Sequence, residues 1–206
     1  GEIQNNADQY NDNKKREMLN QSVKYFQKGL EVYPEYTMAL KNLGNIYFKY
    51  YKDYQSARNY YLKAIQCDTA GRSKDIYLNL GYTYEVLNQY SEAEKNYKKS
   101  IQADSSYINA WILLANLHDK QGNMQKAIRL NQKVMKLDSL TDQPYINIGN
   151  YYLKDRDTAM AVNYWEKAIK KNPANPDLLY GLFRYFDQND KKEKSDYYKK
   201  LYQQYQ

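Results

Sequence analysis

The chain has 206 residues, of which 42% are hydrophobic and 16% aromatic, and this composition excludes an intrinsically disordered chain. The formal net charge is +7, and no run of about 20 apolar residues is present, so the sequence contains no membrane-spanning helix of its own. One cysteine, Cys67, excludes an internal disulfide, and one cysteine with one histidine excludes the common kinds of zinc site.

The N-terminal part of the chain contains one clear helical pattern. Residues 1–13 are polar and lack periodicity, which predicts a disordered or frayed segment. In residues 14–36, Val23, Phe26 and Leu30 follow the spacing of three and four that is typical of a helix, and the pattern ends at Pro34. We expect this segment to be the second helix of an incomplete repeat.

A small residue then recurs at a nearly constant interval. Gly81, Ala115 and Gly149 follow one another at intervals of 34 residues, and Gly44 lies 37 residues before Gly81. Apolar residues around each follow spacings of three and four, which indicates helices, whereas the alternation of strands is absent. A period of 34 predicts stacked helix–turn–helix units. We assign four repeats and a degenerate C-terminal capping pair, at residues 37–73, 74–107, 108–141, 142–175 and 176–206.

The first repeat is longer than the others. Gly44 and Ala57 are 13 residues apart, where Gly81 and Ala93 are 12 apart, and two further residues are extra in the segment CDTAGRSKD that begins at Cys67. We expect all three to lie in loops, where an insertion costs little free energy.

These residues resemble the motif of the tetratricopeptide repeat family. The motif is carried in the first repeat by seven positions, Leu40, Leu43, Gly44, Tyr47, Ala57, Tyr61 and Ala64. The resemblance is strong from residue 36 to residue 171. It implies an all-α, right-handed superhelical solenoid of antiparallel helix pairs whose concave face binds proteins. The high content of Tyr, Asn and Lys is also typical of bacteria with AT-rich genomes.

The resemblance implies which side chains would face the concave groove. They lie two positions before and one position after the small residue, with a lysine at one end: Lys41, Asn42, Asn45, Asn79, Tyr82, Asn116, Asn147 and Asn150. An asparagine amide both donates and accepts hydrogen bonds, so a row of them can hold the backbone of an extended peptide. A similar asparagine ladder lines the repeat domain of O-linked N-acetylglucosamine transferase. The alternative is that these asparagines fill helix packing without a ligand.

Members of the family that bind chaperones grip a C-terminal carboxylate with lysines, an arginine and asparagines. Lys41, Asn45 and Asn79 match part of that set, but Asn109 and Leu113 occupy the two cationic positions. Without those charged hydrogen bonds, binding of a chaperone tail is not expected. A weaker acidic ligand near Lys41 stays open.

Chemistry-bearing residues are too few and too scattered to predict an enzyme, a cofactor or a metal site. Cys67 and His118 occupy core positions of the helical pattern. The lysines are spread over the outer faces of helices, so nucleic acid is not the expected ligand. We therefore predict a non-catalytic scaffold or adaptor that binds a protein or an extended peptide. Two alternatives are the soluble C-terminal regulatory module of a larger, membrane-bound glycosyltransferase-like bacterial protein, and an RNA-binding helical repeat.

The sequence leaves the oligomeric state and the compartment, cytoplasmic or periplasmic, open. Gly1 is typical of a residue left by tag cleavage, so an export signal or an anchor could precede it.

Overall fold

A computed structural model describes residues 2–68 and 73–205 of the chain, with side chains described from residue 13 onward. All regular structure in these ranges is helical. The helices are α1 Glu2–Val32, α2 Thr37–Ile46 with a π-helical turn at Tyr47–Tyr51, α3 Tyr54–Cys67, α4 Lys74–Val86, α5 Tyr90–Ala103, α6 Ile108–Lys120, α7 Met124–Leu137, α8 Gln143–Lys154, α9 Thr158–Lys171, α10 Pro176–Gln188 and α11 Lys192–Tyr205. The all-α prediction is therefore confirmed.

The chain forms two compact units, residues 1–110 and residues 111–206, with the boundary inside α6. In the first unit, α2 packs on α3 and α4 packs on α5. In the second unit, α8 packs on α9 and α10 packs on α11. Because short turns reverse the chain between the members of each pair, the helices pair in the antiparallel arrangement that the repeat predicts.

The first helix extends further toward the N-terminus than the sequence pattern indicates. Its backbone is helical from Glu2, whereas a disordered or frayed segment was expected over residues 1–13. Residues 2–28 contain neither glycine nor proline, so no residue there interrupts the helical hydrogen bonds. In its second half, Val23 packs with Leu43 and Ile46 of α2, and the helix ends two residues before Pro34.

The small residue of each repeat lies under an aromatic ring of the paired helix. A Cβ atom added to any of three glycines would lie far inside van der Waals distance of that ring: 2.5 Å for Gly44 with Tyr61, 2.7 Å for Gly81 with Tyr97 and 2.5 Å for Gly149 with Trp165. Glycine is therefore required at these positions because it lets a large ring fill the space between the two helices.

In the two remaining helix pairs, other residues occupy the small and the large position, but their sizes still complement each other. In the third repeat, Ala115 replaces the glycine and Asn131 replaces the ring, and both are fully buried. In the C-terminal pair the sizes are exchanged, because Phe183 occupies the small position and Lys199 the large one. The ammonium of Lys199 lies 5.8 Å from the centre of the Phe183 ring. The sizes of the two positions are thus matched within each pair.

The extra residue between Gly44 and Ala57 lies inside the helix, so the expectation that it falls in the loop is wrong. Every turn between paired helices in these repeats uses one left-handed residue, and that residue precedes the second-helix alanine by five positions: Lys52, Asn88, Gly122 and Arg156. In the second repeat, the backbone N–H of Gln89 donates a hydrogen bond to the carbonyl of Tyr84, five residues earlier. In the first repeat, the backbone N–H of Asp53 donates to the carbonyl of Tyr47, six residues earlier. The turn before α3 therefore has the same geometry as the turns of the other repeats. The extra residue lies in the last turn of the preceding helix, which becomes a π-turn.

The C-terminal helix pair consists of α10 and α11, which pack on each other. Leu179 and Leu182 of α10 are fully buried, and they share a core with Val162 and Ile169 of α9 and with Tyr198 of α11. The two inserted residues that were expected in the segment after Cys67 fall partly on residues 69–72, which lie outside the described residues.

The single histidine, the single cysteine and several tyrosines are packed in the helical core. His118 is only 5% exposed, and Cys67 packs against the core of the first repeat. Tyr97 is fully buried, and its hydroxyl donates a hydrogen bond to Glu85 Oε2 at 2.8 Å. Burial, together with the neighbouring charge of Glu85, raises the pKa of Tyr97. These observations confirm the prediction that these groups are core residues.

The glycine–ring contact predicts a size-dependent coupling. Gly149→Ala should lower the free energy of unfolding by about 1–3 kcal/mol, because the methyl group would overlap the Trp165 ring. In a Trp165→Asn background, which copies the Ala115 and Asn131 pair, the same substitution should cost at least about 1 kcal/mol less. Urea unfolding of the four proteins measures this coupling. Gly29→Ala is the control, since nothing lies within 4 Å of its added Cβ and helix propensity should stabilise it slightly.

Candidate functional site

A cleft of about 450 Å³ opens beside the π-turn of the first unit. It lies between the C-terminal part of the first helix of one repeat and the first helix of the next, α4. Three of the predicted site residues, Asn45, Asn79 and Tyr82, line it together. The remaining lining residues are Ile46, Phe48, Lys49, Tyr50 and Tyr61.

The amide of Asn45 joins two repeats inside the unit. Its Oδ1 accepts a hydrogen bond from the Tyr61 hydroxyl at 2.7 Å and another from Asn79 Nδ2 at 3.0 Å. Burial raises the pKa of Tyr61, so the hydroxyl keeps the proton that it donates. Because both lone pairs of Asn45 Oδ1 are occupied, the orientation of the amide is defined. No described group hydrogen-bonds Asn45 Nδ2 or Asn79 Oδ1, which leaves a donor and an acceptor side by side.

Aromatic side chains form the second wall of the cleft. The Phe48 ring lies 5.3 Å from the Tyr82 ring and 5.2 Å from the Tyr54 ring, measured between centroids. Tyr82 is 43% exposed, so its ring is accessible from solvent. In the next repeat, Glu85 occupies the position that corresponds to Phe48. The first repeat therefore presents a ring where the second repeat presents a carboxylate.

Two ammonium groups stand over the ring of Tyr50 at the edge of the cleft. Lys49 Nζ lies 5.4 Å from the ring centroid, and Lys15 Nζ of α1 lies 5.8 Å from it. None of the described residues that line the cleft is acidic. The edge is therefore cationic. The sequence pattern did not identify Phe48, Lys49 or Tyr50 as site residues, although the extra residue in their segment marks the place.

Two predicted residues lie elsewhere. Lys41 lines a separate cleft of about 400 Å³, which it shares with Glu35 and Asp75 among others. Asn42 is half-buried and does not line the cleft beside the π-turn. The structure therefore does not join these two side chains to Asn45 and Asn79 in one cleft.

In the second unit, two of the three predicted asparagines, Asn116 and Asn147, belong to an internal hydrogen-bond network. The Tyr151 hydroxyl donates to Asn116 Oδ1 at 2.9 Å and accepts from Asn131 Nδ2 at 3.1 Å. Asn147 Nδ2 donates to Asn131 Oδ1 at 3.1 Å, and Asn147 Oδ1 accepts from Gln143 at 2.9 Å. Asn147 is only 8% exposed, so the expectation that it faces solvent is wrong. The network also includes Asn131, which occupies the position of the ring in the third repeat.

Asn150 is the exposed one of the three predicted asparagines in the second unit. Its side chain is exposed, and its Oδ1 accepts a hydrogen bond from Trp165 Nε1 at 3.1 Å. Asn45 and Asn150 thus hold the ring that covers the neighbouring glycine. In both cases the amide oxygen has this structural role.

A larger cleft of about 720 Å³ lies at the connection between α1 and α2, where it is lined by residues 32–36. It contains none of the predicted amides. Among the described residues, no group of three histidine, cysteine or acidic side chains is placed to hold a metal ion. None of the helices in the described ranges is both long enough and apolar enough to span a bilayer.

Comparison with known proteins gives one family. Two models described as tetratricopeptide repeat match residues 87–141 and residues 146–206, together more than half of the chain. Human protein O-mannosyl-transferase TMTC3 is 27% identical over 195 residues, which cover 80% of this chain and 21% of the transferase. Human DnaJ homolog subfamily C member 7 is 28% identical over 146 residues, covering 65% of this chain and 29% of that protein. The chain thus spans less than a third of either relative.

Solved structures give the same fold. The crystal structure of MamA superposes with a TM-score of 0.68 at 22% identity and covers 78% of this chain and 92% of MamA. The crystal structure of YrrB, described as a TPR protein with an unusual peptide-binding site, has a TM-score of 0.60 at 18% identity and covers 88% of this chain and 92% of YrrB. At these identities, the likeness establishes the fold alone.

The hydroxyl at the centre of the second-unit network has a testable pH signature. Burial raises the pKa of Tyr151 to about 12, whereas the unfolded chain loses this proton near pH 10. Its stabilisation should therefore be complete below about pH 10 and be lost as the pH rises through 12. Tyr151→Phe should cost about 1–3 kcal/mol at pH 7, because two asparagines lose a partner.

The measurement is urea unfolding of both proteins between pH 7 and pH 12. The difference in unfolding free energy between wild type and Tyr151→Phe should shrink above pH 10. Tyr152→Phe is the matched control, since the adjacent ring stacks on Tyr164 and its hydroxyl makes no hydrogen bond to a described group. A constant difference across this pH range would contradict the assignment.

Proposed function

We propose that this chain, which belongs to the tetratricopeptide repeat family, is a non-catalytic scaffold that binds an extended segment of a partner protein. The contact surface of the first unit is the cleft beside the π-turn. Asn45, Asn79 and Tyr82 are its central residues, and Lys41 and Asn42 belong to the adjoining surface of the same helix, α2. In the second unit, Asn150 is the contact residue, while Asn116 and Asn147 belong to the internal network around Tyr151.

One observation carries this proposal: the paired amides of Asn45 and Asn79. Their mutual hydrogen bond holds both side chains, and it leaves Asn45 Nδ2 as a donor and Asn79 Oδ1 as an acceptor for a ligand. A peptide group also has one donor and one acceptor, so an extended backbone can satisfy both amides at once. Since the two side chains are already ordered, binding would cost little additional conformational entropy.

The relatives agree with this kind of function. YrrB, which has the same fold, is described as having a peptide-binding site, and DnaJ homolog subfamily C member 7 is similar to this chain over 146 residues. The proposed partner of this chain is an extended polypeptide segment, and the proposed role of the described residues is binding without catalysis.

A second candidate follows from the match to human protein O-mannosyl-transferase TMTC3, which covers 80% of this chain but 21% of the transferase. The chain would then be the repeat module of a longer protein with an enzymatic part elsewhere. Reading the complete gene tests this candidate, because upstream membrane spans and a transferase region should be encoded in it. A gene that encodes only these repeats would contradict it.

The peptide-binding proposal predicts a specific loss of affinity. Asn79→Leu copies the residue at the same position of the third repeat, Leu113, so the fold should tolerate it. The substitution removes the outward acceptor and one hydrogen bond to Asn45, and it should weaken peptide binding by about two- to tenfold. The probe is a dodecapeptide selected by the full chain from a random phage-displayed library, with affinity measured by fluorescence anisotropy.

Lys98→Ala serves as the control, because Lys98 pairs with Glu94 on the exposed face of α5 and does not line the cleft. It should bind the selected peptide like the wild type. Thermal melts of both variants report whether the fold is intact. Equal affinity of Asn79→Leu and wild type, or failure of the library to enrich any peptide, would count against the proposed function.

A further inference from the structure

We propose that the cleft beside the π-turn is the specificity subsite of this protein, and that it takes an aromatic side chain adjacent to a carboxylate in the bound segment. This inference rests on the proposed peptide-binding function of the same cleft and adds the chemistry of the segment that it selects.

The π-turn makes the first repeat different from the others. One extra residue in Tyr47–Tyr51 widens the last turn of the first helix, while the left-handed residue Lys52 keeps its place before α3. Phe48, Lys49 and Tyr50 all belong to this widened turn, and all three line the cleft. Single π-turns inside α-helices are frequent at functional sites. The widened turn therefore carries three of the eight lining side chains.

The apolar part of the cleft is suited to an aromatic ring. Tyr82 and Tyr50 are 43% and 41% exposed, and the Phe48 ring is inclined at 43° to the Tyr82 ring. Aromatic rings prefer inclined or offset contacts, and a third ring could join this pair in such a geometry. A volume of about 450 Å³ also accommodates a ring together with its own backbone. The donor and acceptor of Asn45 and Asn79 lie beside this space.

The charged part of the cleft selects the neighbouring residue. Lys49 and Lys15 both place an ammonium within 6 Å of the Tyr50 ring, and no acidic side chain lines the cleft in the described part of the chain. The nearest carboxylate along α4, Glu85, already accepts a hydrogen bond from the buried hydroxyl of Tyr97. A carboxylate of the partner would therefore be attracted by Lys49 and Lys15, whereas a lysine of the partner would be repelled.

Position by position, the other repeats lack this combination. Phe48 is replaced by Glu85, Asp119 and Leu153, and only the first repeat carries the inserted residue. Tyr82 likewise replaces the asparagine found at the corresponding position of the other three repeats. Phe48 and Tyr82 meet at this cleft, so these two departures from the repeat pattern lie together.

The test uses the full chain and the random dodecapeptide library. Enriched peptides should contain Phe, Tyr or Trp within two positions of Asp or Glu. Lys49→Glu should weaken binding of such a peptide at least tenfold and should bind better the matched peptide in which Lys replaces the acidic residue. Lys52→Glu is the control, since it makes the same charge change three residues away without lining the cleft; it should alter the affinity less than threefold.

Raising the salt concentration from 50 mM to 500 mM should weaken wild-type binding but change binding by Lys49→Glu little. Enrichment of peptides without an acidic–aromatic pair, or equal effects of Lys49→Glu and Lys52→Glu, would overturn this inference while leaving the peptide-binding function in place. Absence of any enrichment that depends on Asn79 would overturn both.

Discussion

The close contact between a glycine and an aromatic ring is the constraint on which each helix pair depends. Gly44, Gly81 and Gly149 leave no room for a methyl group, because the rings of the paired helices lie directly against their Cα atoms. The space between the helices is filled by one large group, and the position opposite must then be small. The alanine of the third repeat accompanies an asparagine, which shows that total volume, rather than one residue type, is what the pair requires.

The same contact determines the chemistry of the exposed surface. A large ring with a polar edge needs a hydrogen-bond acceptor when it is buried. Asn45 accepts from Tyr61 and Asn150 accepts from Trp165, and in each case the asparagine directly follows the glycine. These amides therefore have a structural role in their helix pairs. Their oxygen holds the ring, and their nitrogen faces away from it.

Much of the fold could be predicted from sequence because packing is periodic. The positions of Gly81, Ala115 and Gly149 define the repeat, and the helix pairs follow from spacings of three and four. The site was harder to predict for a physical reason. Hydrogen bonds between asparagines depend on side-chain directions, which spacing does not report, so the burial of Asn147 was not foreseen. The cleft beside the π-turn could not be derived because one extra residue can enter a loop or a helix with the same sequence spacing.

An insertion inside a helix has a consequence that an insertion in a loop lacks. Successive residues of a helix are rotated by about 100° around its axis, so one added residue turns everything after it toward a different direction. In this chain the rotation is confined to Tyr47–Tyr51, because Lys52 ends the helix immediately afterwards. The buried contacts before the turn and the pairing after it are unaffected. A single added codon can therefore give one repeat a new outer surface while its interior stays the same, which offers repeat proteins a short evolutionary route from one partner to another.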